Sequence, residues 1–378
     1  MRGMTADPLL ATPSGAPRAR SLGIPFHGEP GPWNAITDVV GVEVGFATLI
    51  EGDAVRTGAT AIHPRGRADR GDPCAAGVHV QNGNGEMTGT AWIAESGTTS
   101  GPIVLTSTHS IGAAHEGVVR WIGEHHDAPD DAWFLPVVAE TYDGWLNDAM
   151  GLHVRPEHVL DALGSARRGP LEEGSVGGGT GMNAYGYKAG TGTASRVVAH
   201  RGDRLTVGVL VQANFGRRRH LTIAGAPLGE TFTDDDPLGD AWSLPPGAGS
   251  IIGVVVTDAP LLPDQCAALA RRVPIGVART GTTVSHSSGD LFLALSVANP
   301  RAVTPGASPR GDRAAYDSLR FVPWGAIDPL FEAVVQATEE AIVDAMVAAE
   351  EMTGREGHRS PGFPRARIAD AMREHRRA

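Results

Sequence analysis

Gly249 and Ser250 stand where a segment rich in glycine and proline meets a run of β-branched residues. Residues 251–256 are apolar and follow turn residues, which predicts a buried strand with Ser250 at its start. Glycine tolerates the backbone geometry in which a hydroxyl attacks the preceding carbonyl. Cleavage there would leave Ser250 as a new N-terminus that carries both a nucleophilic hydroxyl and an amine base. A loop glycine followed by the first residue of a strand is the plainer and commoner interpretation of this pattern.

A second pair of polar side chains, Ser288 and Asp290, opens another apolar run at residues 291–295. Residues two apart on a strand point to the same face, so this hydroxyl and this carboxyl could reach one site together. A solvent-exposed turn is the alternative that the spacing leaves open.

Other patterns fit known sites less well. The glycine-rich segment 177–188 lacks the lysine position and the following helix of a phosphate-binding loop, and close packing of backbone explains it better. The histidines at 109, 115, 125 and 126 form no His-Glu-x-x-His motif, which argues against a metal site. No Gly-x-Ser-x-Gly motif surrounds Ser250, Ser287 or Ser288. The basic run 217–220 is expected to lie on a solvated surface.

The composition indicates a large, acidic, globular chain. Among its 378 residues are 50 glycines and 27 prolines, which predict many tight turns. The formal net charge of −11 argues against nucleic acid as a main partner, because phosphate contacts need a basic surface. The two cysteines, Cys74 and Cys266, cannot form a disulfide framework and match no zinc motif. No apolar signal segment and no run of 18 apolar residues is present, so we expect no membrane association and a cytoplasmic location.

Strands and helices alternate along the chain, and together they predict a layered α/β sandwich. The repeat of apolar residues over 327–352 indicates one long helix, and the short apolar run 274–278 indicates a strand. Residues 1–33 are expected to form a disordered lead and an extended arm. A single domain is expected over 34–353, followed by a polar tail over 354–378.

Polar residues follow two of the predicted strands. Glu140 and Tyr142 stand in a polar loop after the predicted strand 133–139, and Asn214 follows the second strand of a predicted hairpin. The connector 225–249 contains nothing that resembles a core element. It is therefore the best candidate for an exposed loop open to proteolytic processing.

Several separated segments, in matching order, carry a resemblance to a known family. They are residues 36–45, 179–183, 249–252 with 257–260, and 288–290. They resemble the L-aminopeptidase D-amidase/D-esterase and β-peptidyl aminopeptidase family over roughly residues 34–350. The resemblance implies a four-layer αββα sandwich like that of N-terminal nucleophile hydrolases, with different connectivity. It also implies cleavage of one precursor between Gly249 and Ser250 into an α-chain, 1–249, and a β-chain, 250–378.

The resemblance further implies roles for individual side chains. Ser250 is the implied nucleophile, Ser288 and Asp290 its supporting hydroxyl and carboxylate, Asn214 the oxyanion donor, Tyr142 a further site hydroxyl, and Glu140 the acid that receives the substrate's free amine. Members of the family can carry Glu where this chain has Asp290. The implied enzyme is a self-processing serine aminopeptidase or amidase acting on peptides, amino acid amides or esters. It needs no metal or organic cofactor and assembles as a tetramer of αβ heterodimers.

Two other functions remain open at this point. A self-cleaving acyltransferase of the ornithine acetyltransferase kind would use similar chemistry, although such enzymes use a threonine nucleophile and this chain has Ser250. An uncleaved binding protein of the same fold would show neither a second N-terminus nor hydrolysis. The preference among L-α-, D- and β-amino acid substrates also stays open, because it depends on the shape of the pocket.

Overall fold

The structure is a computed structural model of the chain and describes residues 7–69, 71–125, 133–241, 249–302 and 316–375. Within these residues the strands are β1 (Glu43–Glu51), β2 (Val55–His63), β3 (Cys74–Gly83), β4 (Thr98–Thr99), β5 (Ile103–Ser107), β6 (Val137–Thr141), β7 (Asn183–Ala184), β8 (Tyr187–Lys188), β9 (Thr191–His200), β10 (Asp203–Asn214), β11 (Gly249–Thr257), β12 (Ser288–Ser296), β13 (Met352–Thr353) and β14 (Arg359–Ser360). The α-helices are α1 (Thr90–Ser96), α2 (Ile111–His125), α3 (Pro156–Ser165), α4 (Leu228–Thr231), α5 (Pro237–Ala241), α6 (Pro263–Ala270), α7 (Val273–Arg279), α8 (Asp328–Val347) and α9 (Arg365–His375).

Two sheets form the centre of the domain. The smaller sheet has the strand order β1-β2-β5-β6, and the larger has the order β4-β3-β12-β11-β10-β9. In the larger sheet β11 is parallel to β12 and antiparallel to β10. The start of β11 is therefore flanked by the end of β10 and the start of β12.

The sequence of β11 explains its central position, because both of its faces are apolar. Ile252, Val254 and Val256 belong to the core between the two sheets. Ile251 and Val255 belong to the core under the helices on the other side. Side chains alternate across a strand, so a strand that is covered on both faces reads as a continuous apolar run.

Helices cover the outer face of each sheet. On the smaller sheet, α2 and α3 pack through a core that contains Val104, Trp121 and Leu163. On the larger sheet, α6 and α8 pack against the strands, and α7 packs against α8. The layers run helix, sheet, sheet, helix, which confirms the predicted αββα sandwich.

The 20-residue α8 is buried over most of its length, because it lies between β9 and β10 on one side and α7 and the N-terminal arm on the other. It confirms the long helix predicted over 327–352. Its buried stretch includes two acids, Glu340 and Asp344. In the part of the chain that the structure describes, no helix is both long and apolar enough to cross a membrane.

The N-terminal arm packs on the domain instead of forming a disordered lead. The guanidinium of Arg18 is buried, and it lies 2.7 Å from a carboxylate oxygen of Glu173 and 2.8 Å from one of Asp344. Because a buried arginine needs buried acids as partners, this pairing fixes the arm on α8. The expectation of disorder was wrong for residues 7–33, whereas residues 1–6 lie outside the described part.

Two predicted strands differ from the structure. Residues 274–278 lie in α7, because a short apolar run does not distinguish a strand from a buried helix. The strand predicted over 133–139 is displaced toward its C-terminal end, so that Glu140 lies within β6 instead of in the following loop.

The C-terminal region also has more structure than a polar tail. It contains β14 and α9, and α9 buries Ile368, Ala371 and Met372. These three positions have the spacing of one helical face, but they are few among many arginines, so the amphipathic pattern is weak in the sequence.

Candidate active site

The ends of three neighbouring strands bring the predicted site residues together. Asn214, the last residue of β10, is paired with Ser250 on β11. On the other side of β11, Gly249 is paired with Ser288, and Ser250 with Gly289. Since paired residues share a face of the sheet, Asn214 and Ser250 point to the same face, whereas Ser288 is the partner of Gly249 and points to the other face.

Ser250 lies against the carbonyl group of Gly249, which its hydroxyl would attack in the predicted cleavage. Its side chain is buried, and Oγ donates a hydrogen bond of 2.7 Å to the carbonyl oxygen of Gly249. A Cβ added at Gly249 would lie 2.4 Å from the carbonyl oxygen of Asn214, so only glycine fits here. The expectation that the connector 225–249 holds no core element was wrong for its first part, because Ala226, Leu228 and Phe232 are buried in the core around α4. The connector is described up to residue 241, and residues 242–248 lie outside the described part.

Ser288 and Asp290 form a buried hydrogen-bonded pair. Ser288 Oγ donates to Asp290 Oδ1 at 2.8 Å, and Asn82 Nδ2 donates to Asp290 Oδ2 at 2.9 Å. Burial is the largest influence on this carboxyl and raises its pKa to about 6, although both hydrogen bonds oppose the rise. The same-face argument from the spacing therefore places these two residues correctly, and the exposed-turn alternative was wrong.

The side-chain amide of Asn214 is held at both ends. Its Oδ1 accepts a hydrogen bond of 3.0 Å from the backbone N–H of Asn183, and its Nδ2 donates to the carbonyl oxygen of Tyr142 at 2.8 Å. An amide nitrogen carries two N–H groups. The second one can serve an oxyanion next to Ser250.

Glu140 and Tyr142 lie at the end of β6 on the opposite sheet. Glu140 is 2 % exposed. Its Oε1 accepts a hydrogen bond of 2.9 Å from the backbone N–H of Glu86, and its Oε2 accepts one from the hydroxyl of Thr108. Burial raises the pKa of Glu140, and the two hydrogen bonds counter it. The ring of half-buried Tyr142 packs on Gly144, where a Cβ would lie 2.3 Å from Cζ.

A cavity of about 530 Å³ joins Ser250, Asn214, Glu140 and Tyr142, whereas Ser288 and Asp290 line a separate cavity of about 280 Å³. The larger cavity is lined by Asn84, Gly85, Glu86, Thr108, Glu140, Tyr142, Trp145, Asn183, Gly186, Asn214, Phe215, Gly216, Leu238, Gly249, Ser250 and Ser287. The described lining contains two carboxyl side chains, Glu86 and Glu140, and no Lys, Arg or His. Such a cavity favours a cationic ligand group, and a nucleophile and an amide donor stand at its wall.

A hairpin of β7 and β8 supports the side of the cavity that holds Asn214. Its turn residues Tyr185 and Gly186 both have positive φ, 53° and 73°, as a tight two-residue turn requires. Arg218 Nε donates to the carbonyl oxygen of Tyr185, and its Nη2 donates to that of Gly186, each at 2.7 Å. Arg218 is thus buried, and the expectation that all of the run 217–220 lies on a solvated surface was wrong.

Comparison with known proteins places this arrangement in a family. A model of Peptidase family S58 matches residues 34–360. The chain belongs to peptidase family S58. The resemblance that the sequence motifs carried is therefore confirmed, and this S58 member is a serine aminopeptidase.

Relatives of this S58 peptidase are similar over almost their full length. The chain is 46% identical over 391 residues to the β-peptidyl aminopeptidase BapA of Sphingosinicella microcystinivorans, covering 98% of this chain and 96% of the relative. The structure of the L-aminopeptidase D-Ala-esterase/amidase of Ochrobactrum anthropi matches with a TM-score of 0.88 and 44% identity, covering 95% and 99% of the two chains. A β-aminopeptidase of a Burkholderia species matches with a TM-score of 0.85 and 46% identity, covering 94% and 98%. Family membership thus favours the hydrolase over the acyltransferase and the binding protein.

The sequence did not reveal several residues that support the candidate site. Asn82, Thr108 and Asn183 fix the orientation of Asp290, Glu140 and Asn214, respectively. The only signal for Asn82 was its position in a turn-rich stretch, and nothing in the sequence linked Thr108 or Asn183 to their partners.

The glycine-rich segment was predicted to pack closely, and this is confirmed. A Cβ added at Gly178 would lie 2.6 Å from the carbonyl oxygen of Leu105, and one at Gly179 would lie 2.3 Å from the backbone nitrogen of Thr191. Among the described residues, no three His, Cys, Asp or Glu side chains form a set of metal ligands.

Proposed function

We propose that the chain cuts itself between Gly249 and Ser250 and then releases N-terminal residues from peptides, amino acid amides or esters. The observation that carries the proposal is the strand register, which places the start of β11 with Ser250 between the end of β10 with Asn214 and the start of β12 with Ser288. The names of the similar proteins add the substrate class, namely N-terminal residues that include β-amino acids.

Self-processing begins with attack of Ser250 Oγ on the carbonyl carbon of Gly249. The short contact between this hydroxyl and the Gly249 carbonyl oxygen supports the step. The C–N bond breaks, the hydroxyl proton ends on the released α-amine, and Gly249 is left as an ester on Ser250. Water then hydrolyses the ester and gives free Ser250 and a carboxylate at Gly249.

Hydrolysis of substrate repeats this chemistry with a second carbonyl. Ser250 Oγ attacks the substrate, and its proton passes to the α-amine, whose ordinary pKa of about 7.7–8.0 leaves it partly neutral near pH 7. Asn214 stabilises the oxyanion; a lost donor of this kind raises the barrier by about 2.7–4 kcal/mol. The leaving group takes the proton from the amine, and water clears the acyl-enzyme. Ser288 and Asp290 orient the amine, and Tyr142 supplies a further hydroxyl.

Glu140 is the proposed partner of the substrate's ammonium group. It faces a cavity whose described lining holds two carboxyl side chains and no basic side chain. Pairing of the ammonium with Glu140 would confine attack to the carbonyl of the first residue, which makes the hydrolase an aminopeptidase.

Mass spectrometry of the denatured protein tests self-processing. Two fragments, 1–249 and 250–378, are expected from the wild type, and an intact chain from Ser250→Ala. A wild-type protein that hydrolyses substrate while its chain is intact would overturn the proposal.

A panel of p-nitroanilides tests the substrate class. L-alanyl, D-alanyl and β-homoglycyl compounds should be compared with their N-acetylated forms. Hydrolysis of at least one free amine, with none of the acetylated forms accepted, is expected. Equal hydrolysis of acetylated compounds would show that no ammonium is recognised.

We also propose that the processed protein forms a tetramer of αβ heterodimers in the cytoplasm. The exposed side chains of Met150 and Leu152, 77% and 54% accessible, support an interface on that side of the molecule. The buried free thiols of Cys74 and Cys266 are typical of a reducing compartment. Light scattering after size-exclusion chromatography and cell fractionation test the two statements; a monomeric αβ unit, or protein found outside the cytoplasm, would contradict them.

A further inference from the structure

Lys188 is the only lysine among the 32 lysine and arginine residues of the chain. Its side chain is fully buried at the end of β8. Of the described residues, none forms an ion pair with it, and burial alone lowers its pKa to about 7. An unpaired buried amine is costly, so its contacts need an explanation.

The contacts of Lys188 converge on backbone carbonyls of its own hairpin. Its Nζ donates to the carbonyl oxygens of Met182 and Ala189, each at 2.7 Å. The backbone N–H of Ala189 also donates to Met182 O at 3.1 Å. The amine therefore closes the base of the hairpin and fixes the direction of the Met182 carbonyl.

The Met182 carbonyl belongs to the same planar peptide group as the N–H of Asn183. In a trans peptide the C=O and the N–H point in opposite directions, so a donor that holds one end aims the other. The aimed N–H donates to Asn214 Oδ1 at 3.0 Å. A continuous path thus leads from Lys188, through the 182–183 peptide, to the amide beside Ser250.

We propose that Lys188 is a positioning residue, which orients the oxyanion donor Asn214 through the Met182–Asn183 peptide. The proposal rests on the role of Asn214 in the proposed function. Lysine suits the position because its compact amine supplies three donors on a narrow stem. A guanidinium is larger and stays charged, so arginine, which the chain uses at every other basic position, does not replace it here.

The test substitutes Lys188→Met, which keeps an unbranched side chain and removes the donors. Rates are referred to the amount of processed chain, measured by mass spectrometry. We expect kcat to fall about 10- to 100-fold, with KM changed less than about twofold, because the ground state makes no oxyanion.

Two inhibitors separate positioning from general damage. An aminoaldehyde forms a tetrahedral adduct with Ser250 and needs the oxyanion donor, whereas the product amino acid does not. We expect Lys188→Met to weaken the aminoaldehyde by the same factor as kcat and to leave inhibition by the product within about twofold. Unchanged aldehyde inhibition, or equal weakening of both compounds, would overturn the proposal.

Arg218→Met is the matched control, because Arg218 supports the same hairpin through the carbonyls of Tyr185 and Gly186 and not through the 182–183 peptide. It should lower Tm, and it should lower kcat less than Lys188→Met does. If it reproduces the loss of kcat, the effect belongs to the hairpin as a whole and the proposal fails.

Should Lys188→Met not fold, Lys188→Gln is the second variant. Its amide donor stands on a shorter stem than the lysine amine, so kcat should still fall. A kcat equal to that of the wild type would count against the proposal. A wild type that neither hydrolyses substrate nor binds the aldehyde would instead refute the proposed function.

Discussion

Asp290 is a residue whose protonation should add a step to the pH dependence of turnover. Its ionised carboxylate accepts hydrogen bonds from Ser288 and Asn82, and burial raises its pKa to about 6. As pH falls through that value, the carboxyl takes up a proton and loses acceptor capacity. On the acid side kcat should fall first as the α-amine of Ser250, with an ordinary pKa of about 7.7–8.0, takes up a proton, and again as Asp290 does; the substrate's ammonium would keep Glu140 ionised in the enzyme–substrate complex.

Asp290→Asn should lower kcat about 100-fold and remove the additional fall in kcat below about pH 6, while the fall that belongs to the α-amine remains. The amide keeps the size of the side chain but cannot be titrated. The measurement is kcat of the processed variant and of the wild type between about pH 5 and about pH 8. A second fall in kcat below about pH 6 that persists in the variant would assign that titration to another group.

Glu140→Gln should raise KM for a substrate with a free amine by about 10- to 100-fold, because the buried partner of the ammonium is lost. Glu86→Gln is the matched control, since Glu86 lines the same cavity but its side chain is exposed. We expect its KM to change by less than about threefold, because exposed charges are screened. Equal effects of the two variants would contradict the role of Glu140.

At the scale of residues, the sequence identified the candidate site side chains better than the side chains that hold them. The two-residue spacing of Ser288 and Asp290 indicated their shared face, and the structure bears this out. Asn82 and Asn183 could not be found in this way. Each acts through a partner far away in sequence, and only the strand register brings them into contact.

At the scale of elements, the start of β12 packs on neighbouring backbone with no room for a side chain. A Cβ added at Gly289 would lie 2.4 Å from the carbonyl oxygen of Asn84 and 2.7 Å from Cα of Gly85. Both neighbours line the active-site cavity. The close approach of these backbones therefore shapes the wall next to Ser250.

Gly289→Ala should destabilise the protein by about 1–3 kcal/mol and lower kcat, because backbone must shift to admit the methyl group. Gly123→Ala is the control, since Gly123 lies on the exposed side of α2 with open space around it. Alanine there should stabilise the helix by about 0.5–1 kcal/mol and leave kcat unchanged. Urea unfolding and kcat measure both effects; an unaffected Gly289→Ala variant would show that the wall adjusts.

Helices and strands were predictable from the sequence where the hydrophobic periodicity extends over many residues or where both faces of a strand are buried. α8 and β11 are of this kind. α7 was not, because its seven residues are too few to distinguish a helical from an extended period. The pairing of β11 with β12 is parallel and is joined through α6 and α7, so the strand spacing alone did not reveal it.

At the scale of the whole molecule, a buried cluster of charges joins the N-terminal arm to the domain. Arg18 contacts Glu173 and Asp344, and the carboxylate of Glu340 binds Arg196 at 2.6 Å. Removal of one member leaves a buried charge without its partner. Such losses are far larger than those of surface ion pairs.

Arg18→Ala should therefore lower the free energy of unfolding by about 3–5 kcal/mol. Arg204→Ala is the control, because Arg204 pairs with Glu29 of the same arm while both side chains are about 60% exposed. Its expected cost is about 0–1 kcal/mol. Urea unfolding measures the difference, and similar costs for the two variants would mean that the cluster does not anchor the arm.

The layered architecture followed from the alternation of elements and from the family resemblance, whereas the packing of the arm did not. Residues 7–33 contain few apolar residues in a regular pattern, and their attachment depends on Arg18 meeting acids that lie more than 150 residues away in the chain. A pattern confined to the arm carries no sign of such partners.

Because Lys188 is the only lysine of the chain, proteolysis at this residue can measure local unfolding of the hairpin. A lysine-specific endoprotease has one bond to cut, that between Lys188 and Ala189, and both residues are fully buried. Cutting under native conditions must wait until the hairpin opens, so its rate measures the free energy of that opening. We expect resistance in buffer and rapid cutting in denaturant, read as a single cleavage on a gel. Equally rapid cutting in buffer would mean that the hairpin beside the oxyanion donor opens freely.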